Sequence, residues 1–245
     1  MFSQPVVAPI GTQWVRLAEG VDVYVAAPEG RAALGGVIVA GEIFGITTHV
    51  RDICERPARA GYLVAAPDFY WRQQRRTCLS HGATGRKAGV RMLRLLQREE
   101  VVADVAAVRA YLATRLGASK AMAIVGVSAG GHIAFLAATR VRFALAVSIY
   151  GGWMVDGGIP LAEPTPPVAD CAALAANGCF FSASRPAAAI VSSPPNSGVD
   201  STSCSMQPGS STNWSAMRVR GTGFSAPNDP RPSMPKRAPT CGGGC

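Results

Sequence analysis

Ala123-Ile124-Val125-Gly126-Val127-Ser128-Ala129-Gly130-Gly131 is the stretch whose reading decides the fold. A short apolar run leads into a serine with Gly126 two residues before it and Gly130 two residues after it. A nucleophilic serine must stand clear of a sheet on a tight strand-to-helix turn, in strained backbone geometry. Small residues at both flanking positions relieve the crowding there. The helix that follows aims backbone N–H groups and the positive end of its dipole at an oxyanion forming beside the serine. Ala121 to Val125 reads as the strand and Ala129 to Arg140 as the helix. A chance GxSxG on a glycine-rich turn is the competing reading, and the order strand, turn, helix favours the functional one.

Working outward, the first 150 residues alternate between strand and helix patterns. Val21 to Val25 alternates with period two, and Gly36-Val37-Ile38-Val39-Ala40 is a short apolar run of the kind covered on both faces. His49 to Ala60 has helical spacing, with Pro57 placed to kink or end it. Gly61 to Ala66 is the next strand, closed by Pro67-Asp68. Val101, Val105, Val108 and Leu112 fall at i, i+4, i+7 and i+11 in a helix from about Glu99 to Leu116, and Ala144 to Tyr150 is a further strand. Such alternation implies an α/β fold with a doubly wound, mainly parallel sheet.

Composition bounds the function. Residues 1–150 carry 18 Lys+Arg against 10 Asp+Glu, a net of +8, and all three histidines, His49, His81 and His132. Met1 to Ile10 has no basic region leading into an apolar run, so a cytoplasmic location is expected. Ala121 to Ala138 lacks Lys, Arg, Asp and Glu over 18 residues, but its glycines and its change of pattern midway read as strand, turn and helix, with no membrane partner implied. The seven cysteines (54, 78, 171, 179, 204, 241, 245) form neither a CxxC pair nor zinc-ligand spacing, so reduced thiols and no metal are expected.

Two further segments join the elbow. Val37-Ile38-Val39-Ala40-Gly41-Glu42-Ile43-Phe44-Gly45 and Gly61-Tyr62-Leu63-Val64-Ala65-Ala66-Pro67-Asp68-Phe69-Tyr70-Trp71-Arg72, followed by Ser128 with Gly130-Gly131, resemble the dienelactone hydrolase family of the α/β-hydrolase superfamily over about residues 10–170. That family has a Glu-Ile-Phe-Gly loop after a strand, a Gly-Tyr strand ending in a Pro-Asp-Leu-Tyr type of turn, and then the elbow. The resemblance implies hydrolysis of a carboxylic ester or lactone, with no cofactor. It implies Ser128 as nucleophile, Glu42 beside it and taking part in its activation, and the backbone N–H groups of Ile43 and Ala129 as the oxyanion hole. Gly126 and Gly130 are the elbow glycines.

Two departures stand out. The family's namesake enzymes carry cysteine at the elbow, and a serine, far less acidic than a thiol, depends more heavily on a general base. In α/β-hydrolases the acid and then the histidine follow the nucleophile. Here the only histidine after Ser128 is His132, one turn along the elbow helix and expected to be structural. His49 reads as a helix N-terminal surface residue and His81 as a solvated one. Asp156, Glu163, Asp170, Asp200 and Asp229 follow Ser128, none after a strand and small-residue turn. No complete triad is legible, so a non-catalytic remnant is the alternative expectation.

Arg72, Arg75, Arg76, Arg86, Lys87, Arg91, Arg94 and Arg98 form eight positive charges with no acid between Phe69 and Arg98. A solvated loop and helix face is the plain reading; attraction of an anionic small-molecule substrate is the functional one. No aromatic residues or binding motif accompany them, and no nucleic-acid partner is implied.

From Cys171 to Cys245 the chain changes: 75 residues contain 13 Ser, 9 Pro and 8 Gly, but only 8 Leu, Ile, Val and Phe together. About a tenth is well below the level of roughly a fifth at which disorder becomes the expectation. The core is therefore expected over 1–170, with 171–245 a disordered or frameshifted tail and the sheet incomplete at its C-terminal end, leaving an unpaired edge. The Ala/Ser/Pro/Arg/Gly/Cys mixture is what out-of-frame translation of a GC-rich gene produces. Reading the coding DNA past residues 165–180 in the other two frames should restore a strand, an Asp-bearing turn and a His-Gly-Phe-like segment. Their absence from both frames refutes the frameshift.

Overall fold

Alternate residues of the central strands serve two different cores, and this sets the layers. The computed structural model describes residues 9–117, 120–154, 157–170, 179–183 and 188–190. The strands are β1 (Ile10–Arg16), β2 (Asp22–Pro28), β3 (Gly36–Ala40), β4 (Leu63–Pro67), β5 (Met122–Val127), β6 (Leu145–Ile149), β7 (Cys179–Ala183) and β8 (Ala188–Ile190). The helices are α1 (Thr48–Arg59), α2 (Ala83–Leu93), α3 (Arg98–Leu116) and α4 (Ala129–Ala138). On one face Tyr24, Ala26, Val37, Val39, Val64 and Ala66 pack under α1 through Val50, Cys54 and Ala58. On the other, Val23, Val25, Ile38, Ala40 and Ala65 pack with α3 and α4. Each valine so buried contributes about 1.5–3 kcal/mol relative to exposure.

The sheet order is β1-β2-β4-β3-β5-β6-β7-β8. Neighbours from β4 to β7 pair in parallel, whereas β1–β2, β2–β4 and β7–β8 are antiparallel. The α/β, doubly wound and mainly parallel architecture expected from the sequence is therefore the one observed. Val101, Val105, Val108 and Leu112, the predicted stripe of α3, are all buried. Thr47 caps α1, its side chain accepting from the Val50 N–H at 3.4 Å. Pro57 lies inside α1, which still runs to Arg59, because the hydrogen bond that proline removes falls in the final turn.

Three strands and one helix escaped the sequence reading. β1 lacks a clean apolar alternation because it is an edge strand with no fully buried position. α2 carries three exposed cations and two buried glycines, which mask its helical spacing. Most notably, the sheet does not end near residue 170. Cys179–Ala183 pairs in parallel with β6, from Leu145↔Cys179 to Ile149↔Ala183, and Ala188–Ile190 follows antiparallel. These runs are too short for a composition average over a Ser/Pro-rich stretch to register. The remainder of the expected tail lies outside the described residues.

Buried acids order the segment between β4 and α2. Asp22, fully buried, is held by Arg75 at 2.7 Å and Arg16 at 3.2 Å. Arg72 grips Asp104 with two bonds of 2.8 and 3.0 Å. Arg98, also buried, donates to the carbonyls of Leu161 and Thr165. Asp68, 1% exposed, accepts from the N–H groups of Tyr70 and Arg76. Burial outweighs those bonds and, with the nearby Asp22, pushes the Asp68 carboxyl up to about 6. The folded chain therefore holds this proton more tightly than the unfolded chain. Raising the pH from about 4 to about 6 should cost the wild type on the order of 2 kcal/mol relative to Asp68→Asn, which is neutral throughout. Urea unfolding of both proteins across that window measures it, and a gap that stays constant with pH contradicts the assignment.

Candidate active site

β5 runs straight into Ser128, whose φ of +57° and ψ of −121° are strained for a residue with a side chain. Backbone in such a region costs roughly 1–3 kcal/mol and persists only where the surroundings impose it. Here the Ser128 N–H is bound to the Ile149 carbonyl at 2.9 Å at the end of β6, and α4 begins at the next residue. A Cβ on Gly126 would lie 1.9 Å from the Gly130 carbonyl oxygen, and one on Gly130 would lie 2.0 Å from the Ala40 oxygen and 2.4 Å from that of Gly41. Both flanking glycines are thus required by backbone contacts. Gly131 is nearly as constrained, since a Cβ there would meet Gly151 Cα and Ser148 Oγ at 2.9 Å.

The approach of Gly130 to Ala40 and Gly41 brings the elbow against the loop that follows β3. That loop is pinned from its far side. The Ile46 N–H donates to the Thr77 carbonyl at 2.9 Å, and the Leu79 N–H to that of Phe44 at 2.8 Å. The Tyr70 hydroxyl donates to the Ile43 carbonyl at 3.1 Å, and α2 packs on the same carbonyl through Gly89. The N–H groups of Ile43 and Ala129 have no acceptor among the described residues. A small, mainly apolar pocket opens beside them, lined among others by Glu42, Ala129, Ile133, Phe69, Leu93 and Leu96.

Glu42 itself sits at this mouth with its side chain 15% exposed. Its Oε1 accepts from the Tyr150 hydroxyl at 3.4 Å. Its Oε2 is buried without a hydrogen bond, and the His81 Nε2 lies 3.6 Å from it. His81 is 57% exposed and its ring lies 4.6 Å from that of Phe44. The solvated reading of His81 is therefore incomplete. Nothing local in the sequence marks it; the bridge between Gly45 and Cys78 carries the chain back to the Glu42 loop. Tyr150 was also missed. It is the first residue after β6, with a φ of +41°, and burial, then the neighbouring Glu42 charge, raises its pKa and keeps the phenol protonated.

The other titratable groups lie elsewhere. His132 is fully buried on α4 with its Nδ1 3.0 Å from the Gly152 carbonyl, and burial pushes its pKa below the ordinary histidine range. His49 is exposed in the first turn of α1. Asp170 is paired with Arg140 at 3.0 Å, and Glu163 is exposed. Asp156, Asp200 and Asp229 lie outside the described residues. Of the basic stretch, Arg72, Arg75, Arg76 and Arg98 are engaged by the acids and carbonyls of the fold. Arg86, Lys87, Arg91 and Arg94, in or just after α2, are exposed and make no ion pair among the described residues.

A serine on a strained strand-to-helix turn, within a mainly parallel sheet covered on both faces, defines an α/β-hydrolase-type fold. The model of the dienelactone hydrolase family matches residues 21–183, somewhat further along the chain than the sequence resemblance reached. A Synechocystis protein named "Putative carboxymethylenebutenolidase" is 31% identical over 142 residues, 58% of each chain. Carboxymethylenebutenolidase 1 of Cupriavidus pinatubonensis is 31% identical over 116 residues, 47% of this chain and 50% of that one. A crystal structure of a "Putative Dienelactone Hydrolase" from Klebsiella pneumoniae shares 30% identity and a TM-score of 0.58 over 71% of both chains. The chain belongs to the dienelactone hydrolase family. It spans about half the length of the curated relatives it matches.

The glycine geometry is directly testable. Gly126→Ala should lower the unfolding free energy by about 1–3 kcal/mol or more, as overpacking against backbone does. Gly152→Ala, where a Cβ meets nothing within 4 Å, should stay within about 0.5 kcal/mol of the wild type. Equal effects in denaturant titrations would contradict the contacts described.

Proposed function

We propose that this chain hydrolyses carboxylic ester or lactone bonds through Ser128. The supporting observation is that Ser128 stands on its strained turn next to the unengaged Ala129 amide, and that the elbow packs through Gly130 against the loop between β3 and α1, which carries Glu42 and the unengaged Ile43 amide. Ser128 Oγ attacks the substrate carbonyl while Glu42 takes part in removing its proton. The charge that develops on the carbonyl oxygen falls to the two amides, and stabilisation of this kind is usually the largest single contribution to such catalysis. The acyl group is then released by water. The family match and the carboxymethylenebutenolidase names of the relatives support a small lactone as substrate. The four uncompensated cations of the α2 region favour an anionic one.

No nucleic acid partner enters this reading, and among the described residues no helix is long and apolar enough to cross a membrane. A cytoplasmic location is part of the proposal. So is a change of reading frame near residues 165–180 as the origin of the Ser/Pro-rich tail. The alternative, a non-catalytic remnant, rests on the lack of a histidine beside Ser128 among the described residues.

Hydrolysis of a short p-nitrophenyl ester separates the two. Turnover that Ser128→Ala lowers by about 1,000-fold or more supports the hydrolase. Turnover at the buffer rate, or unaffected by that substitution, supports the remnant.

A further inference from the structure

The Glu42 carboxylate is held from two sides by residues that the reaction as described does not use. Tyr150, from the end of β6, donates to Oε1, and His81, ahead of α2, approaches Oε2. These contacts come from parts of the chain 108 and 39 residues away from Glu42, so nothing local imposes them. Oε2 is shielded from solvent and otherwise unpartnered, which is costly for a carboxylate oxygen unless a donor reaches it. His81 Nε2 can close that gap by a small rotation of an exposed side chain, as the acceptor of a proton that Oε2 takes up, and hydrogen bonds of catalytic groups are often long before substrate binds. Phe44 supports the His81 ring from the same loop that carries Glu42.

The surroundings narrow the partners. Asp68, the other acid lining the pocket, is bound to backbone N–H groups of its own segment. Tyr150 stays a donor. Arg86 and Lys87, the cations next along the chain from His81, point to solvent without an ion pair. His132 is fully buried, with its Nδ1 on the Gly152 carbonyl. Among the described residues His81 is thus the one imidazole that meets the Glu42 carboxylate.

We propose that His81 and Tyr150 are positioning residues for Glu42, and that His81 receives through Glu42 the proton released by Ser128. This rests on the assignment of Ser128 as nucleophile. In acylation the Ser128 O–H bond breaks and its proton passes to Glu42 Oε2 as Oγ bonds the carbonyl carbon. The carbonyl π pair moves onto the oxygen facing the Ile43 and Ala129 amides. Glu42 hands the proton to His81 Nε2, which is free to accept it in the tautomer whose hydrogen sits on Nδ1, so the carboxylate is restored and the charge moves to an exposed ring. When the tetrahedral species collapses the proton returns by the same path to the leaving alkoxide. Water repeats the sequence in deacylation, and nothing is oxidised or reduced. The order serine, carboxylate, imidazole replaces serine, imidazole, carboxylate.

The test uses the full chain and a p-nitrophenyl acetate assay from pH 5 to pH 9, with Ser128→Ala, His81→Gln, His81→Ala and Tyr150→Phe. His81→Gln should lower kcat/KM by on the order of 10- to 100-fold, mainly in kcat, and should flatten the acid limb of the profile. Added imidazole should restore part of the activity of His81→Ala and none of that of His81→Gln. Tyr150→Phe should lower kcat while leaving the acid limb in place. Because His81 is more than half exposed, its variants should melt with the wild type. If Ser128→Ala is inactive but His81→Gln keeps kcat/KM within about twofold and the same profile, the role of His81 is overturned and the nucleophile stands. If Ser128→Ala turns over like the wild type, both assignments fall.

Discussion

The constraint on which the site depends is a backbone contact without side chains: the start of α4 against the end of β3. Gly130 lies so close to the Ala40 and Gly41 carbonyls that no Cβ fits between them. That approach carries the first amide of α4 next to the loop that holds Glu42 and Ile43. Gly126 makes the same demand inside the turn, where its own Cβ would strike the Gly130 carbonyl. Strain at Ser128 is then an outcome of the packing. The strand below and the helix above are fixed by buried apolar residues, and the serine takes the dihedral angles that join them.

Distant parts of the chain hold the Glu42 loop in register with the elbow. Thr77 and Leu79 grip it by backbone bonds, Tyr70 by its hydroxyl and α2 by the close approach of Gly89. Those grips are only as good as the order of residues 68–79, a stretch without helix or named strand that is anchored in the core by Phe69 and Tyr70. Buried acids supply that order, with Asp22, Asp68 and Asp104 each taking N–H or guanidinium donors from it. A cluster of arginines that looks like a free positive patch is thus half structural. Such buried pairs add little net stability, but loss of one partner leaves a charge uncompensated.

How much of this could be read from the chain follows from the range of each interaction. β3, β4, α3 and the elbow were legible because short-range periodicity reports directly on burial. Val101, Val105, Val108 and Leu112 repeat as a helix must and are all buried. The edge strand β1 and the cation-bearing α2 were not, because neither buries enough of one face to leave a period. β7 and β8 were hidden differently, as runs of five and three residues inside a composition that argues for no sheet. Within the site, Ser128, Gly126, Gly130 and the Glu42 loop sit in local motifs. His81 and Tyr150 do not, since their meeting with Glu42 exists only once the sheet has formed.

That division bears on the chemistry proposed for this chain. The elbow, both candidate oxyanion amides, Glu42, His81 and Tyr150 all fall before residue 151, within the segment that supplies most of both buried clusters. A late-loop histidine would have to come from residues beyond β6, and none of the residues after His132 in this sequence is a histidine. A carboxylate is a weaker base than an imidazole, so Glu42 alone draws a serine proton poorly. Glu42 Oε2 has no hydrogen-bond partner among the described residues and His81 Nε2 lies 3.6 Å from it, so the imidazole can take over the proton that the carboxylate draws. The arrangement therefore places proton transfer and oxyanion stabilisation on one loop. A shift of that loop would impair both together, which is why its four separate anchors matter more than any single contact at the serine.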